Sequence, residues 1–221
     1  MNQASNKTRK FMVVGSSGYV GNYMMKALAM QYPNVQVVGM SRSALPREEE
    51  TARLPNVSYV KGDALNPDSF RDHLENVEGV IHCVGTLIEK KNNPNLTYDA
   101  MNRDSAINVA AELQDFAEKS GQPRNFVLIS SEKAPPFLDR YLTSKLEAED
   151  FILKKCTNLN STMLRPGFIY DSHHRWWSIP LKYFVDIAWW MLPRQMPFGA
   201  YFDFLFPAKS VRLSTLTHFA I

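Results

Sequence analysis

The feature that most restricts how this chain can fold is the spacing Gly15-x-x-Gly18-x-x-Gly21 within Gly15-Ser16-Ser17-Gly18-Tyr19-Val20-Gly21. An apolar run at 11–14 leads into it and a helical pattern at 19–31 leaves it. A strand, a glycine turn and a helix in that order open a βαβ unit, in which the glycines permit a tight turn and let backbone approach a diphosphate. The helix N-terminus then presents unpaired N–H groups and a partial positive charge to an anion. The same spacing also suits a plain strand-to-helix turn, so the rest of the chain must decide between the two.

It does so by alternation. Apolar runs at 35–40, 57–61, 80–84, 126–129 and 161–164 are separated by helical or short turn-like stretches at 48–53, 68–74, 98–119 and 140–155. Strands alternating with helices make a parallel sheet with crossover connections. The expected fold class is α/β, a Rossmann-type doubly wound parallel sheet with a small, aromatic-rich C-terminal region. Ala106, Val109, Ala110 and Leu113 share one face of the longest helix, which is expected to stop at Gly121 with Pro123 beyond. The chain divides into a basic arm at 1–9, a nucleotide-binding domain at 10–167 and the small region at 168–221. Between Phe168 and Phe206 stand 13 aromatic residues, including all four tryptophans. That region is expected to lie over the strand ends, where open α/β sheets bind ligands.

Composition excludes several classes. A net charge of +3 makes no case for nucleic acid, and no nucleic-acid partner is expected. Cys83 and Cys156 are too few for a disulfide framework and fit a reducing compartment. No apolar run reaches the length of a membrane span, and residues 1–10 have no secretory apolar core. The first acid is Glu48, so the start, with Lys7, Arg9 and Lys10, reads either as a mitochondrial import-like segment or as a short disordered arm. His173-His174 near Asp171 lack a spaced partner set, and no metal site is expected. His82, inside an apolar strand, reads as a packed core histidine. From Phe151 onward there are 8 basic and 3 acidic residues. Trp176-Trp177 and Trp189-Trp190, beside Arg175, Lys182 and Arg194, suit a membrane interface, a protein surface or the core of the small region; these stay open.

The strand ends supply candidate cofactor contacts. The turn contributes Gly15, Ser17, Gly18, Tyr19, Val20 and Gly21. The second strand ends Gly39-Met40-Ser41-Arg42-Ser43. An acid there would bond a ribose 2′-hydroxyl, whereas Ser41 and Arg42 suit a 2′-phosphate, so NADP(H) is expected over NAD(H). Asp63 and Ala64 close the third strand, Asp63 either accepting from the adenine amine or capping the turn before Pro67. Cys83, Val84 and Gly85 close the fourth, with Gly85 letting backbone lie against the cofactor and Cys83 packed rather than reactive.

Asp63, Tyr98-x-x-x-Asn102, Tyr141-x-x-x-Lys145 and Arg165-Pro166-Gly167-x-x-Tyr170 follow the glycine turn in order. Over roughly residues 10 to 171 the chain thereby resembles the extended and atypical short-chain dehydrogenase/reductase superfamily. The resemblance implies that Tyr141 is the acid/base residue, and that Lys145 lowers its pKa and holds the nicotinamide ribose. It implies that Ser131 orients a carbonyl, although it stands only ten positions before Tyr141 with Pro135-Pro136 between. It places Asn102 on a water or the helix backbone, and Pro166 and Gly167 against the nicotinamide. The wording Val84-Gly85-Thr86-Leu87, Tyr141-Leu142-Thr143-Ser144-Lys145 and Arg165-Pro166-Gly167-Phe168-Ile169-Tyr170-Asp171 is similar to a mitochondrial subgroup. That subgroup includes a reductase-like protein associated with ubiquinone biosynthesis and, as a neighbour, the nucleotide-binding accessory subunit of respiratory complex I. The implied setting is the matrix side of the inner membrane, in a protein complex, with a small hydrophobic substrate and peripheral membrane contact. A reductase and a non-catalytic cofactor-binding subunit are both compatible with these residues, as is, more weakly, a cofactor-sensing regulator.

Overall fold

Met12 and Val14 point to one side of the first strand and Val13 to the other, and all three are excluded from solvent. Burial on both faces is what a central parallel strand requires. The computed structural model describes residues 9–90, 92–132, 134 and 138–167, with the backbone of 169–170 and 211–212. Its strands are β1 (Lys10–Val14), β2 (Gln36–Ser41), β3 (Val57–Lys61), β4 (Gly79–His82), β5 (Arg124–Ile129) and β6 (Leu159–Leu164). They form one sheet in the order β3-β2-β1-β4-β5-β6, every neighbouring pair parallel. This is the expected doubly wound topology, and its winding reverses between β1 and β4, the crevice where such sheets bind dinucleotides.

Helix α1 (Tyr19–Gln31) buries Met24, Met25 and Leu28 against Val13, Val37 and Ile81 on one face. On the other, α3 (Ser105–Ser120) and α4 (Asp139–Lys155) bury Ala106, Val109, Leu113, Ala148 and Ile152 against Met12, Val38, Phe126 and Leu128. The short α2 (Glu49–Ala52) follows β2. Gly121 takes φ 63 and closes α3 with its N–H on the Glu118 carbonyl, as a left-handed glycine cap does.

Three details differ from the sequence reading. Residues 67–74 make two 3-10 turns, Pro67–Ser69 and Arg71–Leu74, because Phe70 at φ −138 interrupts any helix between them. The long helix begins with a π-helical segment, Asp99–Asp104, before α3. Strand β4 ends at His82 instead of continuing to Val84, whose carbonyl accepts from Lys145 Nζ at 3.3 Å. The C-terminal region lies outside the described residues apart from β7 (Ile169–Tyr170) and β8 (Val211–Arg212), which pair in parallel. Residues 1–8 of the basic arm lie outside as well.

Candidate functional site

The glycine turn is built by backbone bonds to β2. The amides of Gly15 and Ser16 both donate to the Met40 carbonyl, at 2.9 and 3.1 Å, and Gly18 N–H returns to Gly15 O at 2.9 Å. Gly15 needs its φ of 86, a conformation costly to any residue with a Cβ. A Cβ on Gly21 would sit 2.2 Å from the Gly15 carbonyl oxygen, so only glycine lets α1 approach the turn this closely. Gly18 stands at the N-cap in extended conformation, no side chain caps the helix, and its first turn holds no acid. Amides left uncapped beside a helix dipole suit the diphosphate of a dinucleotide.

A cleft of about 180 Å³ opens from this turn across the strand ends. Gly15, Ser17 and Gly18 form one wall, with Ser41 at the end of β2 and Arg42 just beyond it. Asp63 and Ala64 after β3, and Cys83, Val84 and Gly85 after β4, complete the part anticipated from sequence. Arg42 makes no hydrogen bond or ion pair among the described residues, leaving its guanidinium available. Asp63 lines the cleft and also caps its own turn, Oδ1 accepting from Leu65 N–H at 3.1 Å. Tyr19, Val20 and Gly21 belong to the first turn of α1, behind the lining. Pro166 and Gly167 lie past the end of β6, the Pro166 carbonyl accepting from Glu132 N–H, and neither lines the cleft. Leu65, Met101 and Ser105 do line it, unanticipated. Nothing in their own residue types signals this, since it depends on how the π-helical segment and α3 cross the sheet. A larger cavity, about 380 Å³, lies toward the opposite ends of the strands between Phe11, Leu28 and Val127, away from every candidate residue.

Beyond Gly85 the predicted catalytic residues converge. Ser131 and Tyr141, ten positions apart in sequence, come close enough for the serine hydroxyl to act on the phenol. Burial raises the Tyr141 pKa above the usual phenol value; the Ser131 hydroxyl opposes that and nearby Tyr98 adds to it. The lowering expected from Lys145 is not what dominates here. Lys145 is 3% exposed, and its Nζ donates to Ile129 O at 3.0 Å as well as to Val84 O. Burial brings its pKa down to about 8, with Cys83 and Glu149 pulling the other way. A Cβ on Gly85 would stand 3.0 Å from both Lys145 Nζ and Asn102 Oδ1, so glycine is what allows the loop to cross there.

Buried Asn102 ties that loop to the helices. Its Oδ1 accepts from Thr86 N–H at 2.8 Å, and its Nδ2 donates to Thr86 O and Ser144 Oγ, each at 3.3 Å. Its protein partners are thus the Thr86 backbone of the loop and a side chain of α4, making it a polar clamp. Tyr98 packs edge-on to Tyr141 at 6.1 Å between centroids and donates its hydroxyl to Leu87 O at 3.0 Å. Leu87 and Ile88, 56% and 76% exposed, give the mouth an apolar lip. Burial pushes the Cys83 thiol up to about 12, so it stays protonated, consistent with a packing role. Among the described residues no cluster of three or more His, Cys, Asp or Glu could hold a metal, and no helix is long and apolar enough to cross a membrane.

One cation near the cleft was not singled out from sequence. Arg47 lies over the Tyr19 ring at 6.0 Å and donates from Nη1 to the Ser17 carbonyl at 3.4 Å.

The family model described as NAD(P)H-binding matches residues 15–178. The chain is 29% identical over 222 residues to MIOREX complex component 2 of Saccharomyces cerevisiae, covering 81% of this chain and 78% of that one. It is 32% identical over 173 residues to an uncharacterized chloroplastic protein of Arabidopsis thaliana, covering 76% of this chain and 53% of that protein. Among solved structures, the PbgP3 protein from Burkholderia pseudomallei superposes with a TM-score of 0.58 at 15% identity, over 74% of this chain and 60% of that chain. A short-chain dehydrogenase/reductase superfamily protein from Agrobacterium tumefaciens with bound NAD gives 0.57 at 20% identity, over 74% of this chain and 51% of that chain. The chain thus spans between half and two thirds of the length of these solved relatives, and at such identities the likeness concerns the fold alone. Glycine turn, strand order and family model agree: the chain belongs to the NAD(P)H-binding family, with the fold of the short-chain dehydrogenase/reductases.

Proposed function

We propose that this protein is an NADPH-dependent reductase of an organelle, a mitochondrion, acting on a small hydrophobic carbonyl or quinone-pathway compound within a protein complex. The observation that carries the catalytic part is the approach of Ser131 to Tyr141, with the buried Lys145 held beside Gly85 at the cleft. The bound nicotinamide would supply hydride. The chain's own residues do the rest: Ser131 and Tyr141 hold the substrate oxygen, and the Tyr141 hydroxyl delivers the proton. Lys145 fixes the carbonyls of Val84 and Ile129 and places positive charge under the reacting end. The exposed Leu87 and Ile88 favour an apolar substrate. Preference for NADPH rests on Arg42 and on the lack of an acid before Glu48.

The setting has separate support. One relative is named as a complex component and another as chloroplastic, which favours an organellar location and a protein partner. The acid-free basic start suits import into a mitochondrion. The tryptophan pairs and cations after Phe168 suit peripheral contact on the matrix side of the inner membrane. The link to ubiquinone biosynthesis rests on the resemblance of the segments around Gly85, Tyr141 and Pro166.

A second reading is a non-catalytic NADPH-binding subunit. It is favoured by the raised Tyr141 pKa and by Lys145 spending hydrogen bonds on backbone carbonyls. Tyr141→Phe separates the two. The reductase reading requires NADPH oxidation with quinone-pathway extracts that is lost in Tyr141→Phe while cofactor affinity is kept. Absence of turnover, with full biological function in Tyr141→Phe, would leave the subunit reading.

A further inference from the structure

The loop that leaves the cleft after Gly85 carries two exposed apolar side chains in succession. Leu87 and Ile88 are the one pair of large exposed hydrophobics adjacent in sequence among the described residues. A lone exposed leucine is ordinary on a protein surface. What sets this pair apart is the backbone beneath it. The Leu87 carbonyl accepts from the Tyr98 hydroxyl at 3.0 Å. The Thr86 hydroxyl accepts from Ile88 N–H at 3.1 Å and donates to Ile88 O at 2.8 Å. Further along, Lys90 N–H donates to Leu96 O at 2.9 Å, Asn93 N–H to Lys90 O at 2.8 Å and Leu96 N–H to Asn93 O at 2.9 Å. A surface loop can leave such groups to solvent. One that satisfies them internally can give up its water, as entry into an apolar layer requires.

Charge around the tip favours one kind of layer. The one acid between Thr86 and Thr97, Glu89, turns back, its carboxylate accepting from Tyr98 N–H at 3.2 Å. The sequence continues Lys90-Lys91, and Lys90 is exposed. Lysine stems can follow apolar neighbours inward while their ammonium groups stay at the level of anionic headgroups. We propose that Leu87 and Ile88 are a tip by which the domain enters an anionic membrane surface, so that the mouth of the cleft opens against lipid. This rests on the peripheral membrane contact proposed above and adds to the C-terminal tryptophans a second contact, at the cleft itself. Leu87 stands two residues past Gly85, which lines the cleft, so an apolar substrate passes from the acyl layer to the site without crossing water.

The test is flotation of the full chain with vesicles of phosphatidylcholine, alone or with about one third phosphatidylglycerol, at low and high salt. The native chain should float with the anionic vesicles, and less so at high salt. The double variant Leu87→Ser, Ile88→Ser should bind them about tenfold or more weakly, with melting temperature and NADPH affinity kept. Lys90→Glu should weaken binding to anionic vesicles by about fivefold or more and leave neutral ones unaffected. An environment-sensitive fluorophore on Ile88→Cys should brighten and shift to the blue on anionic vesicles. If the native chain floats with neither vesicle, the membrane reading and the inference fail together. Native-like flotation of the double variant would keep the membrane reading, place the contact elsewhere and overturn the inference. A fluorophore already in apolar surroundings without vesicles would mean that the chain itself covers the pair. Loss of a copurifying protein by the double variant, with flotation kept, would make the pair a protein contact. Either result overturns the inference.

Discussion

At the scale of single residues, His82 shows how burial converts a titratable group into a structural one. It is fully excluded from solvent, stacked against Phe126, with Ser105 Oγ 3.4 Å from its Nε2. Burial, aided by the nearby Lys145 charge, holds its pKa down at about 3, against an ordinary value of 6.5. A folded-state pKa below the unfolded one means the unfolded chain takes up the proton first as pH falls. The stability involved is therefore fully present above pH 6.5 and lost progressively toward pH 3. Urea titrations at stepped pH should show His82→Leu losing less stability than the native chain between these limits, by up to about 1.4 kcal/mol for each pH unit. Identical slopes would mean that His82 is protonated in the fold. Much at this scale was legible in advance: the glycine turn by its spacing, the place of Arg42 on the cleft by its position after the second strand, His82 by its apolar strand. The approach of Ser131 to Tyr141 was not, because the nine residues between them say nothing about where two chain ends return. The contact of Arg47 with Ser17 and Tyr19 was missed because it depends on the left-handed turn at Ala44, which alanine does not advertise.

At the scale of elements, the π-helical segment Asp99–Asp104 deserves comparison with the helices around it. Its wider winding places Asn102 inward, where it clamps Thr86 and Ser144, while Asp99 and Arg103 face outward. There Arg103 pairs with Glu147 at 3.0 Å and Arg140 with Asp99, tying the segment to the start of α4 from the solvent side. These exposed pairs are screened and add little individually. The buried clamp is the stronger part. Asn102→Ala should cost about 1–2 kcal/mol, since it leaves the partly buried Thr86 N–H without its partner. Loosening of residues 85–88 should show as faster amide hydrogen exchange there, with cofactor affinity reduced. Unchanged exchange at Thr86 would show that the loop holds its own conformation. The strands and main helices were readable from apolar runs because both faces of the sheet are covered by helices. The π winding was not, since the apolar positions of the long helix continue without a visible break, and its extra turn width comes from packing against α4.

At the scale of the whole molecule, the fold was legible from alternation alone, while the shape of the cleft needed the sheet to be assembled. Cofactor binding should therefore stabilise the entire sheet. NADPH at about a hundredfold its Kd should raise unfolding free energy by about 2.7 kcal/mol, read as an upward shift in melting temperature. Gly21→Ala should abolish that shift, because its Cβ collides with the Gly15 carbonyl. A shift that survives would place the diphosphate elsewhere. The strand order carries a further consequence, for the time course of folding. Met12 pairs with Val38 across a single helix of chain, but with Val80 only after β3 has also been made. A chain leaving the ribosome can thus complete its glycine turn while β4, the strand that supplies the facing wall, is still being synthesised. The dinucleotide can reward the finished sheet but cannot template its early half, so the nascent N-terminal winding must survive on its own packing.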